Sequence, residues 1–201
     1  MRRIFYSFLI LLILSACSQE KNIDATEDTT EEELPLTQDV KIPSIIFTSE
    51  KQNSTIGEDE IKLSIKTYLD SFEELSNASE PFQEIIDEEE EFNKNELEKF
   101  DKIIKLTKEN DKNFSNYILN NTLPEGYQEE SERISQYITA LNETLNEMDE
   151  MLDDINKGVV PKLNIISIIG KGKVVNGREQ KKIEEFLDKK NIDTKVFGRE
   201  H

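Results

Sequence analysis

Apolar residues recur in heptads between residues 127 and 155. Tyr127, Ile134, Leu141, Met148 and Ile155 form one row, and Ile138, Leu145 and Leu152 form a second, with Ser131 as its polar member. This spacing sets both rows on one face of a helix. The predicted helix, Tyr127 to Ile155, is about 43 Å long at 1.5 Å per residue. Pro124 and Gly126 stand before it and Gly158 after it, the punctuation expected at helix ends.

A looser version of the same repeat precedes it. Leu97, Ile104 and Ile118 share a row with Asp111, while Phe100 and Phe114 share the other with Thr107, so two polar intrusions weaken this second stripe. Earlier still, Ile61, Ile65, Leu69, Phe72 and Leu75 lie at helical spacing, and Phe82, Ile85 and Ile86 continue the pattern beyond Pro81. A proline within a helix removes one hydrogen bond and clashes with the preceding turn, so a break or kink is expected near Ser79 to Pro81, with Ser79 as a cap.

Short turns at Phe92 to Asn95 and at Asn120 to Gly126 return each helix along its predecessor. The fold class is therefore mainly α: an elongated up-down-up three-helix, coiled-coil-like bundle over residues 58–157. A stripe this regular can also recruit a second copy of the chain, but short loops favour packing within one molecule.

After Gly158 the pattern changes. Val159, Val160, Leu163, Ile165, Ile166, Ile168 and Ile169 crowd into eleven residues, where periodicity does not separate strand from buried helix. Pro161 suits a first helical turn, whereas Gly170 and Gly172 before Val174-Val175 suit a hairpin. Arg178 to Lys190 reads as a helix with Ile183, Phe186 and Leu187 on its apolar face, introduced by the turn residues Asn176-Gly177, and Thr194 to Phe197 reads as an extended end. Residues 158–201 thus form a small C-terminal α or α+β extension.

The N-terminus has another character. Arg2 and Arg3 precede an apolar run from Ile4 to Leu14, and small residues lead to Cys17, the pattern of a secretory signal over residues 1–16. The run has about half of the roughly 20 residues that span a bilayer. Leu14-Ser15-Ala16-Cys17 resembles the lipobox of bacterial lipoproteins. That resemblance implies a diacylglyceryl group on the Cys17 thiol, cleavage before it, and anchoring at the extracytoplasmic face of the cell membrane. A single cysteine fits this reading, since an unmodified exposed thiol in an oxidising compartment is a hazard. Ser18 follows; in a two-membrane bacterium, families with serine there usually go to the outer membrane, and in a single-membrane one the protein stays on the outer face.

Residues 17–57 read as a disordered acidic tether, rich in Glu, Asp, Thr and Ser and interrupted by Pro35 and Pro43. As a flexible coil, about 40 residues reach roughly 35 Å. The apolar cluster Ile45-Ile46-Phe47, within Ile42 to Thr48, is the part able to dock on the folded body.

Charge divides the chain. The 43 acidic and 25 basic side chains leave a net −18. Loss of Arg2 and Arg3 with the signal takes this to −20, of which residues 157–201 carry +5 and residues 17–156 carry −25. An acidic bundle is repelled by nucleic acid, which is not an expected partner. The basic end could meet anionic headgroups or anionic wall polymer through Lys171, Lys173, Arg178, Lys181 and Lys182, each contributing about 1 kcal/mol at a membrane surface. The competing reading is neutralisation against the bundle.

Candidate chemistry is sparse. His201, at the chain's end, is the sole histidine, so a Ser-His-acid or Cys-His arrangement and a histidine-built zinc site are not expected. Asp87-Glu88-Glu89-Glu90-Glu91 lacks the alternating ligands and central glycine of an EF-hand loop and reads as a solvated face. Gly170-Lys171-Gly172-Lys173 lacks the spacing and the Ser or Thr of a phosphate-binding loop and suits a hairpin turn. No catalytic residue, metal or cofactor is expected.

The helical body containing Phe100-Asp101-Lys102-Ile103-Ile104-Lys105-Leu106 is similar in composition and helix layout to small Gram-positive lipoproteins described as cell-wall-binding. The expected role is a non-enzymatic interaction or spacer module tied to the membrane, with an envelope protein or anionic wall polymer as partner. The alternative is an immunity-type lipoprotein that binds a small ligand, peptide or toxin between bundle and C-terminal module.

Overall fold

The computed structural model describes residues 36–87, 91–156 and 174–199, without the side chains of 87 and 144–156. The described chain is mainly helical: α1 (Glu58–Asp87), α2 (Lys94–Leu119), α3 (Gln128–Asn156), α4 (Gly177–Lys190) and a 3-10 turn (Val196–Gly198). No strand occurs among the described residues; Thr55 and Thr122 form an isolated parallel bridge. At 1.5 Å per residue, α1, α2 and α3 are each about 40 to 45 Å long.

Consecutive helices meet in opposite senses. Along α1, Glu60, Tyr68 and Phe82 face Tyr117, Phe114 and Phe100 of α2 in turn. Along α3, Gln128 reaches the Ile118 carbonyl and Asn142 reaches Asp111. The turns between them are built locally. Asn93 caps α2 in a capping box, its side chain accepting from the Asn95 and Glu96 N–H groups while the Glu96 carboxylate accepts from the Asn93 N–H. Gly126 adopts φ +77, a conformation that side chains resist, just before α3.

The core falls into two apolar clusters. One holds Ile61, Ile65, Leu69, Phe114, Ile118, Tyr127, Ile134 and Ile138; the other holds Leu75, Ala78, Phe82, Phe100, Ile103 and Ile104. The heptad positions Tyr127, Ser131, Ile134 and Ile138 are all buried, and Leu141 packs against the first cluster. The side chains of Leu145, Met148, Leu152 and Ile155 lie outside the described residues.

Three expectations are corrected. Helix α1 runs through Pro81 without ending, and Ser79 is no cap. Its hydroxyl donates to the Ser76 carbonyl within the helix, and Gln83 donates to that hydroxyl in turn. Ala78 and Phe82 on either side are buried against α2, so packing holds together a helix that proline alone would break.

Thr194 to Phe197 is not an extended end but leads into the 3-10 turn, with Val196 fully buried. Thr194 Oγ1 donates to Asp70 of α1 at 2.8 Å, and Lys66 Nζ donates to the Asp193 carbonyl at 2.6 Å. On the other side Phe197 meets Tyr137 of α3 edge to face. Ile183, Phe186, Leu187, Ile192 and Val196 all join the first core cluster, so the C-terminal residues bridge α1 and α3. Helix α4 itself matches the expected Arg178–Lys190, starting at the cap Asn176 and ending where Asn191 takes the left-handed conformation. The apolar run 159–169 and the glycine pair at 170 and 172 lie outside the described residues.

The third correction concerns the tether. Its second half is part of the fold: Phe47 is 4% and Ile56 2% exposed, and Val40, Ile42 and Ile46 pack on the second cluster. Ile45 points outward. Composition averaged over residues 17–57 hides these few apolar positions, but the docking expected of Ile42 to Thr48 is met: Phe47 enters the first cluster, and Ile42 and Ile46 pack on the second.

Candidate functional site

The segment from Thr37 to Thr55 is a strap laid along α2, parallel to it. At the first turn of α2, Thr37 Oγ1 donates to Glu96 Oε1 at 2.7 Å, and Lys99 Nζ donates to the carbonyls of Thr37, Gln38 and Val40 at 3.0, 2.7 and 3.3 Å. One ammonium group thereby spends its three donors on three backbone oxygens of the strap. Halfway along, the Phe47 N–H donates to Asn110 Oδ1 at 2.8 Å and its carbonyl accepts from Asn113 Nδ2 at 3.0 Å. Asn110 Nδ2 also reaches the Tyr68 carbonyl of α1, so one side chain ties strap and helices together. The Phe47 ring sits edge-on to Phe114, centroids 5.4 Å apart, and beside Tyr117 at 5.2 Å.

Past the end of α2 the strap pairs with backbone. Asn53 N–H donates to the Asn120 carbonyl at 2.7 Å, Ile56 N–H to Thr122 at 2.9 Å, and Thr122 N–H to Ser54 at 2.9 Å. Asn121 closes the arrangement, accepting from the Ser54 N–H and donating to the Lys51 and Tyr117 carbonyls. None of Lys99, Asn110, Asn113 or Asn121 stood out in the sequence. A usable signal existed: Asn110 and Asn113 are polar residues three apart beside the apolar stripe of α2, spaced to grip an extended peptide.

Under the strap lies a buried polar cluster joining three helices. Asp111 accepts from the Tyr68 hydroxyl at 2.8 Å and from Asn142 Nδ2 at 2.9 Å. Burial raises the Asp111 carboxyl above its ordinary range, against the opposing pull of hydrogen bonds from Asn142, Tyr68 and Thr139. The Tyr68 phenol is also pushed well up, first by burial and then by Asp111. The other polar intrusion, Thr107, donates to the Ile103 carbonyl one turn back. Ser131 Oγ, also buried, meets no hydrogen-bond partner among the described residues.

At the end of the bundle near the α2–α3 turn is an open groove of about 570 Å³, lined by Glu125, Gly126, Glu130, Arg133, Lys182, Glu185, Phe186, Lys189 and Lys190. Several of its charges are engaged in ion pairs. Arg133 contacts Glu129, Glu130 and Glu179 at 3.1, 3.0 and 2.9 Å. Beside it, Lys190 lies 4.2 Å from the Tyr127 ring centroid and 3.8 Å from Glu58, whose carboxylate accepts from the Tyr127 hydroxyl. That phenol, then Lys62 and Lys190, holds the Glu58 carboxyl below its usual range. Tyr137, facing α4, is pushed up to about 12 by burial and the nearby Glu184.

Of the residues singled out in the sequence, Cys17, Lys171 and Lys173 lie outside the described residues. Arg178, Lys181 and Lys182 occupy the exposed side of α4, with Lys182 2.7 Å from Glu179 and Lys181 3.9 Å from Glu185. The structure therefore gathers three of the five candidate cations on one helix and pairs two of them with acids of that same helix. Neutralisation across to the bundle is made at Lys190–Glu58, and in the reverse sense at Arg133–Glu179. Among the described residues no helix is long and apolar enough to cross a membrane, and no three His, Cys, Asp or Glu side chains converge as metal ligands.

No curated protein and no solved structure matches the chain. Residues 1–18, which include Cys17, match the prokaryotic membrane lipoprotein lipid attachment site, and this supports a bacterial lipoprotein bound to its membrane through a lipid anchor.

Proposed function

We propose that acylated Cys17 holds this protein at the extracytoplasmic face of a bacterial cell membrane, where its helical body acts as a non-catalytic interaction or spacer module of the envelope. The lipid attachment match over residues 1–18 carries this reading. Two acyl chains, at about 0.8 kcal/mol per buried methylene, are enough for stable anchoring where one chain is marginal. Mass analysis of the N-terminal peptide from native membranes is expected to find diacylglyceryl-modified Cys17 at the mature terminus. A Cys17→Ala protein is expected to incorporate no labelled palmitate, and a bare thiol in the native protein would overturn the anchor.

The partner in this proposal is an envelope protein or anionic wall polymer, met through the basic end. Because α4 is built into the core, deleting the C-terminal residues would test folding and not binding. Charge reversal is the sharper probe. The triple variant Arg178→Glu, Lys181→Glu, Lys182→Glu is expected to lose salt-sensitive binding to anionic wall material by on the order of a hundredfold with its helix content intact, since each cation contributes about 1 kcal/mol near an anionic surface. Unchanged binding would exclude this face. The ligand-binding alternative would use the groove between Arg133 and Lys190, but the glutamates already on Arg133 leave it a poor site for an anion.

A further inference from the structure

We infer that the strap sets how the anchored protein stands: the α1–α2 end of the bundle toward the membrane, and the α2–α3 end, with the groove between Arg133 and Lys190, away from it. The inference rests on the lipid anchor at Cys17 and extends it from where the protein is to which surface it offers.

Were residues 17–57 all tether, the leash from the anchor would reach the bundle at Glu58, beside the α2–α3 turn. That would place the α2–α3 end nearest the bilayer. The structure reverses this. Lys99 and Glu96 grip the chain at Thr37, on the first turn of α2 and at the opposite end of the bundle. From there the strap traverses the length of α2, held at Phe47 by Asn110 and Asn113, before reaching Asn121 and the start of α1.

The two ends of α2 are about 39 Å apart at 1.5 Å per residue. The chain from Cys17 to Thr37 spans at most about 70 Å when fully extended, and as a coil roughly 25 Å. An anchor on so short a chain holds the gripped end closer to the bilayer on average than the far end. Charge does not undo this. Glu84 and Glu91 are exposed at the gripped end and repelled by anionic lipid, but screening confines that repulsion to about 8 to 10 Å at physiological salt. It sets a stand-off distance shorter than the leash. The outward end then presents Glu125, Arg133, Lys182 and Lys190 to whatever lies beyond the membrane.

The test uses the full lipidated protein in vesicles of stated anionic and zwitterionic lipid. With Cys17 acylated, Glu91→Cys or Glu125→Cys supplies the sole thiol for a donor dye, and energy transfer to an acceptor lipid reports height above the bilayer; both glutamates are exposed. Transfer from position 91 is expected to exceed that from position 125 several-fold. A Gly/Ser insertion after Ser18 that doubles the leash should shrink the difference. Lys99→Met, which removes the three donors at a partly exposed site, should shrink it in part with helix content unchanged. Equal transfer from both positions of a membrane-bound protein, or greater transfer from position 125, would overturn the orientation and leave the anchor standing. Absence of transfer at both, with protein in the aqueous phase, would overturn the anchor and the orientation together.

Discussion

Truncation of Phe114 to alanine is expected to destabilise the protein by about 3 to 5 kcal/mol, the range for deleting a fully buried phenylalanine. Phe114 is 0% exposed and sits where three segments meet. Its ring stacks on Tyr68 of α1 with centroids 4.1 Å apart and an interplanar angle of 5°, and it receives the Phe47 ring of the strap edge-on. Each aromatic pairing adds about 0.5 to 1.5 kcal/mol beyond area burial. Against a typical total of about 5 to 15 kcal/mol, the loss is a large share of the stability of a domain. The damage should also have a direction. With the Phe114 face gone, Phe47 keeps its peptide hydrogen bonds and its contact with Tyr117 but loses one of its two ring contacts. Amide exchange in residues 45–49 is therefore expected to rise before exchange in the centre of α2. Urea unfolding gives the first number and hydrogen exchange the order; a loss below about 1 kcal/mol would contradict the packing described, since that is the effect of an ordinary substitution.

Asp111 supplies the second large effect, and its sign depends on pH. Burial raises the carboxyl, so the folded protein binds that proton more tightly than the unfolded chain. The associated stability is fully present in acid, below the ordinary aspartate range, and is lost as pH rises through the raised value. Glu58 and Glu179 act oppositely. Both are held low, Glu58 chiefly by the Tyr127 hydroxyl and Glu179 chiefly by Lys182, so their contributions are present above the ordinary range and lost in acid. They are surface groups, and exposed pairs contribute little.

Asp111→Asn removes the titration while keeping an acceptor for the Tyr68 hydroxyl, and the Asn142 amide can turn to offer its oxygen to the new amide group. The expected result is convergence of variant and parent stability in acid and divergence as pH rises, the variant being the more stable. Asp111→Ala should behave differently. It strands the Tyr68 hydroxyl and the Asn142 amide, each a buried group whose unmet hydrogen bond costs about 1 to 3 kcal/mol, so it should destabilise even in acid. Urea midpoints across a pH series distinguish the three proteins. An asparagine variant as pH-sensitive as its parent on the alkaline side would remove Asp111 as the cause.

The same residue shows where periodicity stops being informative. Asp111 and Thr107 look in the sequence like defects that loosen the second stripe. In the fold Asp111 holds α1, α2 and α3 in register through directed hydrogen bonds, a use of buried polar groups familiar from helical bundles. A pattern that scores apolar against polar cannot see this, because the benefit exists only once Tyr68 and Asn142 are brought to the same place. Pro81 taught the converse: a local rule against helix was outweighed by burial of Ala78 and Phe82.

The strap and α4 were hidden for a related reason. The cluster Ile45-Ile46-Phe47 marks a segment able to dock, but nothing local says where or which of the three goes inward; the four-way environment of Phe47, formed by Asn110, Asn113, Phe114 and Tyr117, is assembled from α2. Helix α4 was legible as a helix, down to its apolar Ile183, Phe186 and Leu187. Its destination was not, because an apolar face specifies that something must cover it and leaves open what.

By itself the sequence determined the signal and lipid attachment motif, the three long helices with their turns, the position of α4 and the division of charge. These depend on short-range spacing, capping and composition, which act through neighbouring residues. Only the tertiary structure decided that the chain before α1 is bound along α2, that the C-terminal residues bridge α1 and α3, and that Asp111 lies at the centre of a buried network. Each of those outcomes comes from contacts between residues tens of positions apart, whose free energy appears only when the intervening chain has already folded.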